Sequence, residues 1–226
     1  MKSSDRKIVT RAPSRTVRII NLKGLLPHPV EAESSLEADY VRRAALQPST
    51  NDVIHQPFIL PVSPRGYTPD FFQIEESNTP KVIVEIKPEK KVAKYGALFD
   101  RAAEYLKPKG YAFYVVTERS LRKSKINERV LLIRRYVKAS FPLIERIRVS
   151  SLLAEYPNGL PIGTLVRKAR VSRELVIHLV ARKILTTGAK LHVDHSALVT
   201  LRQLSKNNDA TAFAGWFGVT PWGFRN

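Results

Sequence analysis

The sequence predicts an α/β domain followed by a smaller, mainly helical domain, and three observations carry that prediction. A strand run, Val82-Ile83-Val84-Glu85-Ile86, stops at Lys87-Pro88. A helical run follows, with Val92, Tyr95, Phe99, Ala102 and Leu106 on one face, and Pro108-Lys109-Gly110 breaks it before a second strand run, Tyr111 to Thr117. Strand, helix and strand within residues 82–117 make a βαβ unit, whose right-handed crossover sets the strands parallel and the helix over one face. Beyond Phe141-Pro142 the pattern changes to short helices, and 226 residues suffice for two modest domains.

Residues 1–30 carry Lys2, Arg6, Lys7, Arg11, Arg15, Arg18 and Lys23 against Asp5 and little apolar periodicity. They read as a basic N-terminal arm, either a solvated leader or a segment that touches DNA or a partner. Ser34-Ser35-Leu36-Glu37 opens a helix with Leu36, Tyr40 and Ala44 at every fourth place, ending near Gln47-Pro48. Strand-like pieces at Ile54 to Val62 and Tyr67 to Ile74 join the βαβ strands in a curled sheet, so that the α/β domain spans 31–139. In the helical domain, 140–204, the runs are Leu143 to Tyr156, Pro161 to Ala169 and Ser172 to Ile184, with Ser172 as N-cap of the third. That is a helix-turn-helix outline. Two short β runs around Gly188, from Leu185 to Val193, then resemble the wing of a winged helix.

Composition narrows the chemistry. The chain has 38 Lys and Arg against 20 Asp and Glu, a net charge of +18, which calls for a polyanionic partner. It has no cysteine and five histidines, so disulfides and thiolate zinc sites are excluded and any metal chemistry falls to carboxylates, the ligands of magnesium or manganese. No apolar run approaches the roughly 18 residues of a membrane span, and Met1 to Lys23 lacks the apolar core of a secretory signal, so a cytoplasmic location and no membrane partner are expected.

One constellation is specific. Tyr67-Thr68-Pro69-Asp70-Phe71 is followed by Glu85-Ile86-Lys87 at the end of the apolar run. Glu85 and Lys87, two apart on a strand, emerge on the same face, and a neighbouring strand can set Asp70 beside Glu85. Two carboxylates on adjacent strands, with the Ile86 carbonyl as a further ligand, would hold a divalent metal. Lys87 is then placed to orient or deprotonate the attacking water or to counter charge. A solvated Glu-Lys pair on a strand edge is the plain alternative, against which stands the cost of burying Glu85 unpaired between Val84 and Ile86.

Pro-Asp followed by Glu-x-Lys is the signature of restriction-endonuclease-like nucleases. Together with Ser34-Ser35-Leu36-Glu37, His55-Gln56-Pro57, Val84-Glu85-Ile86-Lys87-Pro88 and Tyr114-Val115-Val116-Thr117-Glu118, it resembles the TnsA family of transposon endonucleases over residues 31–136. The second domain resembles that family's winged-helix region more loosely. The resemblance implies Glu37, Asp70 and Glu85 as acidic active-site residues and metal ligands, with Ile86, and Lys87 as the catalytic lysine. Glu37 also fits a capping box with Ser34. The activity implied is Mg2+- or Mn2+-dependent cleavage of the 5′ strand at bacterial transposon ends, alongside a DDE transposase, TnsB, and a regulatory ATPase, TnsC. A free-standing restriction or repair nuclease and a non-catalytic winged-helix regulator are the rival readings.

Phosphate contacts are expected from Lys90 and Lys94 beside the active strand, from Arg122, Lys123 and Lys125, and from Arg170, Arg173 and Lys190 around the helical turn and wing. Glu118 reads as a solvated loop residue, with a place at the border of the site as the alternative, and His178 as a packing or surface residue. The tail, 205–226, gathers both tryptophans among glycines. Trp216, Phe217 and Trp222 are expected to dock the ATPase partner, with folding back onto the winged helix as the alternative.

Overall fold

The computed structural model of the chain describes residues 2–3, 17–76, 81–202 and 211–223; the rest of the basic arm and Phe224 lie outside them. The protein is mixed α/β and divides into two compact units. The first comprises Met1–Ala45, Ser49–Lys123 and Ser205–Asn226, the second Leu46–Pro48 and Ser124–Leu204. The boundary thus falls earlier than the expected 139/140, and the C-terminal tail belongs to the first unit. No helix among the described residues is long and apolar enough to cross a membrane.

The first unit contains β1 (Lys2–Ser3), β2 (Arg18–Ile20), β3 (Val30–Ala32), α1 (Ser35–Ala44), β4 (Thr50–His55), β5 (Phe58–Ile59), β6 (Phe71–Glu75), β7 (Lys81–Ile86), α2 (Glu89–Leu106), β8 (Tyr111–Val116) and α3 (Glu118–Arg122). Its main sheet has the order β4-β6-β7-β8. The first three strands are antiparallel, and β8 joins β7 in parallel, from Lys81 opposite Tyr111 to Ile86 opposite Val116. The expected βαβ unit is therefore present, with α2 as the crossover. Val82 to Ile86 are all buried because β7 is covered on both faces, as parallel strands require. On one face Ile83, Phe113 and Val115 pack with Val92, Phe99, Ala102 and Leu106 of α2. On the other, Tyr40 of α1 lies 5.1 Å from Phe71, ring centre to ring centre.

The second unit contains α4 (Ile126–Arg134), α5 (Leu143–Ala154), β9 (Leu160–Pro161), α6 (Ile162–Ala169), α7 (Arg173–Ala181), β10 (Leu185–Thr186) and β11 (Leu198–Leu201), with a small antiparallel sheet in the order β10-β11-β9. Ser172 caps α7, its hydroxyl accepting from the Leu175 amide at 3.2 Å. The returning strand of the hairpin is β11, later than the expected Lys190 to Val193. Leu191 and Val193 are buried, with Leu191 at φ +54°, so this stretch turns inward as a plug and cannot continue a ladder. The charged run before Tyr136 also hides a helix: α4 buries only Val130 and Ile133, too few for a clear period.

The tail aromatics, expected to stand exposed as a docking segment, pack against the first unit instead. α8 (Thr211–Phe217) buries Phe213, Trp216 and Phe217 to 1%, 7% and 2% exposure. Phe213 stacks 4.4 Å from Tyr114, and Phe217 lies 5.3 Å from Tyr40 with the Arg43 guanidinium over its ring. Arg43 also donates to the Trp216 carbonyl. Farther along, the Trp222 amide donates to the Phe113 carbonyl at 2.7 Å, its indole N–H to Asp100 at 2.7 Å, and its ring meets Phe99 edge-on. The tail thus clasps the β8 edge, α8 on the α1 face and Trp222 on the α2 face. Trp216, Phe217 and Trp222 are core and edge residues of the first unit, and they complete that unit rather than the helical one. Aromatic rings without a period of their own were legible as a group needing burial, but the surface that receives them is built from distant strands.

Candidate functional site

The site lies where β7 and β8 end and α1 and α2 begin, the carboxyl end of the parallel strands where open α/β sheets bind ligands. Phe71 pairs with Val84, so Asp70 falls one step on, beside Glu85. Asp70 Oδ2 accepts from the Ile86 amide at 2.7 Å. Glu85, 2% exposed, has both oxygens engaged: Oε1 with the Lys87 ammonium at 2.5 Å and Oε2 with the Tyr67 hydroxyl at 2.6 Å. Lys87 lies 5.0 Å above the Tyr95 ring of α2, the face on which β7 also presents Glu85.

Tyr67 is a site residue that the motif contained but to which sequence reasoning gave no role. It is placed by a tight turn in which Gly66 (φ +73°) donates to the Ser63 carbonyl, and Tyr67 bridges Leu60 in both directions at 2.7 and 2.8 Å. A Cβ on Gly66 would come within 2.5 Å of the Ile59 side chain, so only glycine fits. The Tyr67 ring packs between Phe99 and Phe113, which leaves its hydroxyl one direction to point.

Glu37 is occupied as a cap. Its Oε1 accepts from the Ser34 hydroxyl and its Oε2 from the Glu33 amide, both at 2.7 Å, while the Ser34 hydroxyl accepts from the Glu37 amide at 3.1 Å. This is a capping box with the return bond shifted by one residue. Glu37 still lines the cleft and stands near enough to act on Asp70 and Glu85. The cleft measures about 440 Å³ and is lined also by Lys87, Lys91, Tyr95 and Arg122.

Electrostatics set the character of the place. Burial pushes Asp70 well above the ordinary carboxylate range, with Glu85 and Glu37 adding to the push and the Ile86 amide and Lys87 opposing it. Glu85 is likewise raised, by burial first and then by Glu37, against the pull of Lys87 and Tyr67. Burial works against the Lys87 ammonium, but Glu85, Asp70 and Tyr95 outweigh it, and Lys87 ends above its ordinary value as a charged donor. Burial and repulsion keep these two carboxylates from ionising freely, and a hard cation would supply the counter-charge that lets both do so on oxygen donors. Asp70, Glu85 and the Ile86 peptide fit such an ion. Among the described residues no three Asp, Glu, His or Cys side chains form a ready-made metal cage.

The expected phosphate contacts fare unequally. Lys90, Lys94, Lys123, Lys125, Arg170 and Lys190 are exposed. Arg122 is held by the buried Asp39 at 2.7 Å and by the Ser35 hydroxyl at 3.1 Å. Arg173 gives two N–H donors to the Val193 carbonyl, at 3.0 and 2.7 Å, and so braces the hairpin loop. His178 is a packing residue: its Nδ1 lies 2.8 Å from the Tyr136 carbonyl and its ring rests on Phe141. The Glu118 carboxylate caps α2 through the Glu89 amide at 2.8 Å. No protein-family model matches the chain, and no curated protein sequence matches it.

Proposed function

We propose that the chain is a divalent-metal-dependent DNA endonuclease with a restriction-endonuclease-like first unit and a winged-helix second unit. On this reading it acts as the TnsA-type subunit that cleaves the 5′ strand at transposon ends, in concert with a DDE transposase and a regulatory ATPase. The observation that carries the reading is the pairing of Asp70 and Glu85 on neighbouring strands with Lys87 on the same strand face as Glu85. Such a group serves phosphodiester hydrolysis, and a net charge of +18 brings the phosphodiester to it. The sequence motifs narrow the class further to the transposon enzymes.

Asp70, Glu85 and the Ile86 carbonyl would hold Mg2+ or Mn2+, which polarises a phosphoryl oxygen and lowers the pKa of a bound water. The chain's own groups do the rest. Tyr67 fixes the Glu85 carboxylate, the Ile86 amide fixes Asp70, and Lys87, kept as an ammonium, offers a proton-bearing donor to the charge that builds on the phosphate. Lys91 and Arg122 stand on the cleft wall where the strand would enter.

Supercoiled plasmid and duplex transposon ends test the reading, with and without the partner transposase. Mg2+-dependent nicking at the 5′ side of the ends, lost on chelation and in Asp70→Asn with duplex binding retained, is the expected result. In the complete system that variant should give cointegrates in place of simple insertions. Nicking at the wild-type rate by Asp70→Asn would overturn the assignment.

A further inference from the structure

We infer that the second unit grips duplex DNA from outside, by its phosphates, on a patch formed by Arg167, Lys168 and Arg170, and that α7 does not enter a groove. The inference rests on the DNA-cleaving reading above and concerns a different surface of the chain.

A helix that reads base edges must present a face of free side chains to the major groove. On α7 every residue from Leu175 to Ala181 is buried. α5, α6 and β10 pack against it, and so does α4, a helix outside the helix-turn-helix itself. The His178 bond to the Tyr136 carbonyl adds the segment after α4 to this cover. At the start of α7, Arg173 is bound to the Val193 carbonyl, and the exposed Glu174 carries the wrong charge for phosphate.

α6 is the opposite case. Arg167 and Lys168 are exposed in its last turn and Arg170 in the turn that follows. Arg148 of α5 donates to the Ala169 carbonyl at 3.3 Å and so extends the same patch. Among the described residues none of these four cations is in an ion pair. Among the described residues Arg167 bonds to the Gly163 carbonyl, and Lys168 to the Tyr156 hydroxyl and ring. The helix dipole accounts for a cation in the last turn of α6. It does not account for four cations without one carboxylate among them. Cations this close add their fields over a Debye length and suit a row of phosphates, a contact that carries no sequence information.

The test uses the full chain without divalent metal and two unrelated duplexes of about 30 base pairs, with affinity followed from about 50 to about 250 mM salt. Replacing Arg167, Lys168 and Arg170 together by Gln should flatten the slope of log K against log salt by about 2.7, and each single replacement by about 0.9. The loss should be equal for both duplexes and the melting temperature unchanged. If the triple variant melts abnormally, the three single variants decide. An unchanged slope, a loss confined to one duplex, or a tighter hold on single-stranded RNA than on duplex DNA would overturn the inference. Wild-type protein that never nicks DNA would sink the nuclease reading while leaving the slopes readable, and normal nicking with unchanged slopes would sink the patch alone.

Discussion

In the sheet-centred unit Asp39, Arg43, Glu75 and Glu85 are all buried, each with a partner, whereas in the helical unit Arg148, Arg167, Lys168 and Arg170 lie at the surface and, among the described residues, form no ion pair. Burying a charge costs several kcal/mol unless geometry supplies a counter-charge and hydrogen bonds. A fold that accepts this cost holds the groups concerned in fixed positions, which chemistry on a bond requires. Surface cations carry no such cost and no such order, and they suit adhesion to a repeating polyanion. On the proposed reading, the first unit is the one that cuts and the second the one that holds.

Truncation after Leu204 gives the largest expected effect. It removes Phe213, Trp216 and Phe217 from the first unit, and buried Phe or Trp lost to a void costs about 3 to 5 kcal/mol each. Three such losses, about 9 to 15 kcal/mol, are comparable to the about 5 to 15 kcal/mol that stabilises a typical domain. We expect the first unit to lose its cooperative thermal transition while the helical unit keeps its own. Unchanged melting of both units would show that the tail is dispensable.

Next comes the cleft. Asp70→Asn should abolish metal-dependent nicking, a loss on the order of a thousandfold, if the metal supplies several kcal/mol of transition-state stabilisation. Without metal the same variant should be more stable than the wild type at neutral pH. Asp70 and Glu85 titrate above the ordinary carboxylate range, so the folded state binds more protons than the unfolded chain. Stability therefore falls as pH rises from that range towards their folded values. Asn at position 70 should flatten this slope, and Mn2+ should raise the wild-type melting temperature but not that of the variant. A metal-free wild type that gains stability as pH rises there would contradict the assignment.

Tyr67→Phe keeps the ring between Phe99 and Phe113 and removes only the hydroxyl on Glu85. Groups that orient metal ligands are typically worth 10- to 100-fold in affinity, so Mn2+ binding followed by calorimetry should weaken about tenfold, with about 1 to 3 kcal/mol of stability lost. Equal affinity would assign Tyr67 to packing alone. The smallest effect is expected at Arg173→Gln, which loses its bonds to the Val193 carbonyl. About 1 kcal/mol of stability should go, with the salt slope of duplex binding nearly unchanged. A drop in that slope as large as the patch residues give would break the contrast between α6 and α7.

Much was legible in the residues themselves because its cause is local. The period of Val92 to Leu106, the strand runs on either side and the Ser172 cap follow from short-range geometry, and so does the shared strand face of Glu85 and Lys87. Asp70 beside Glu85 needed only the next strand in register. What the tertiary structure alone decided depends on surfaces assembled from distant segments. Arg43 meets Trp216 across the sequence, Tyr67 finds Glu85 through a turn and a sheet, and α4 covers α7, which by its own pattern was only the third helix of a helix-turn-helix outline. A local pattern states that a side chain must be buried or paired; which partner does it is settled by chain closure, whose distances no period in the sequence encodes.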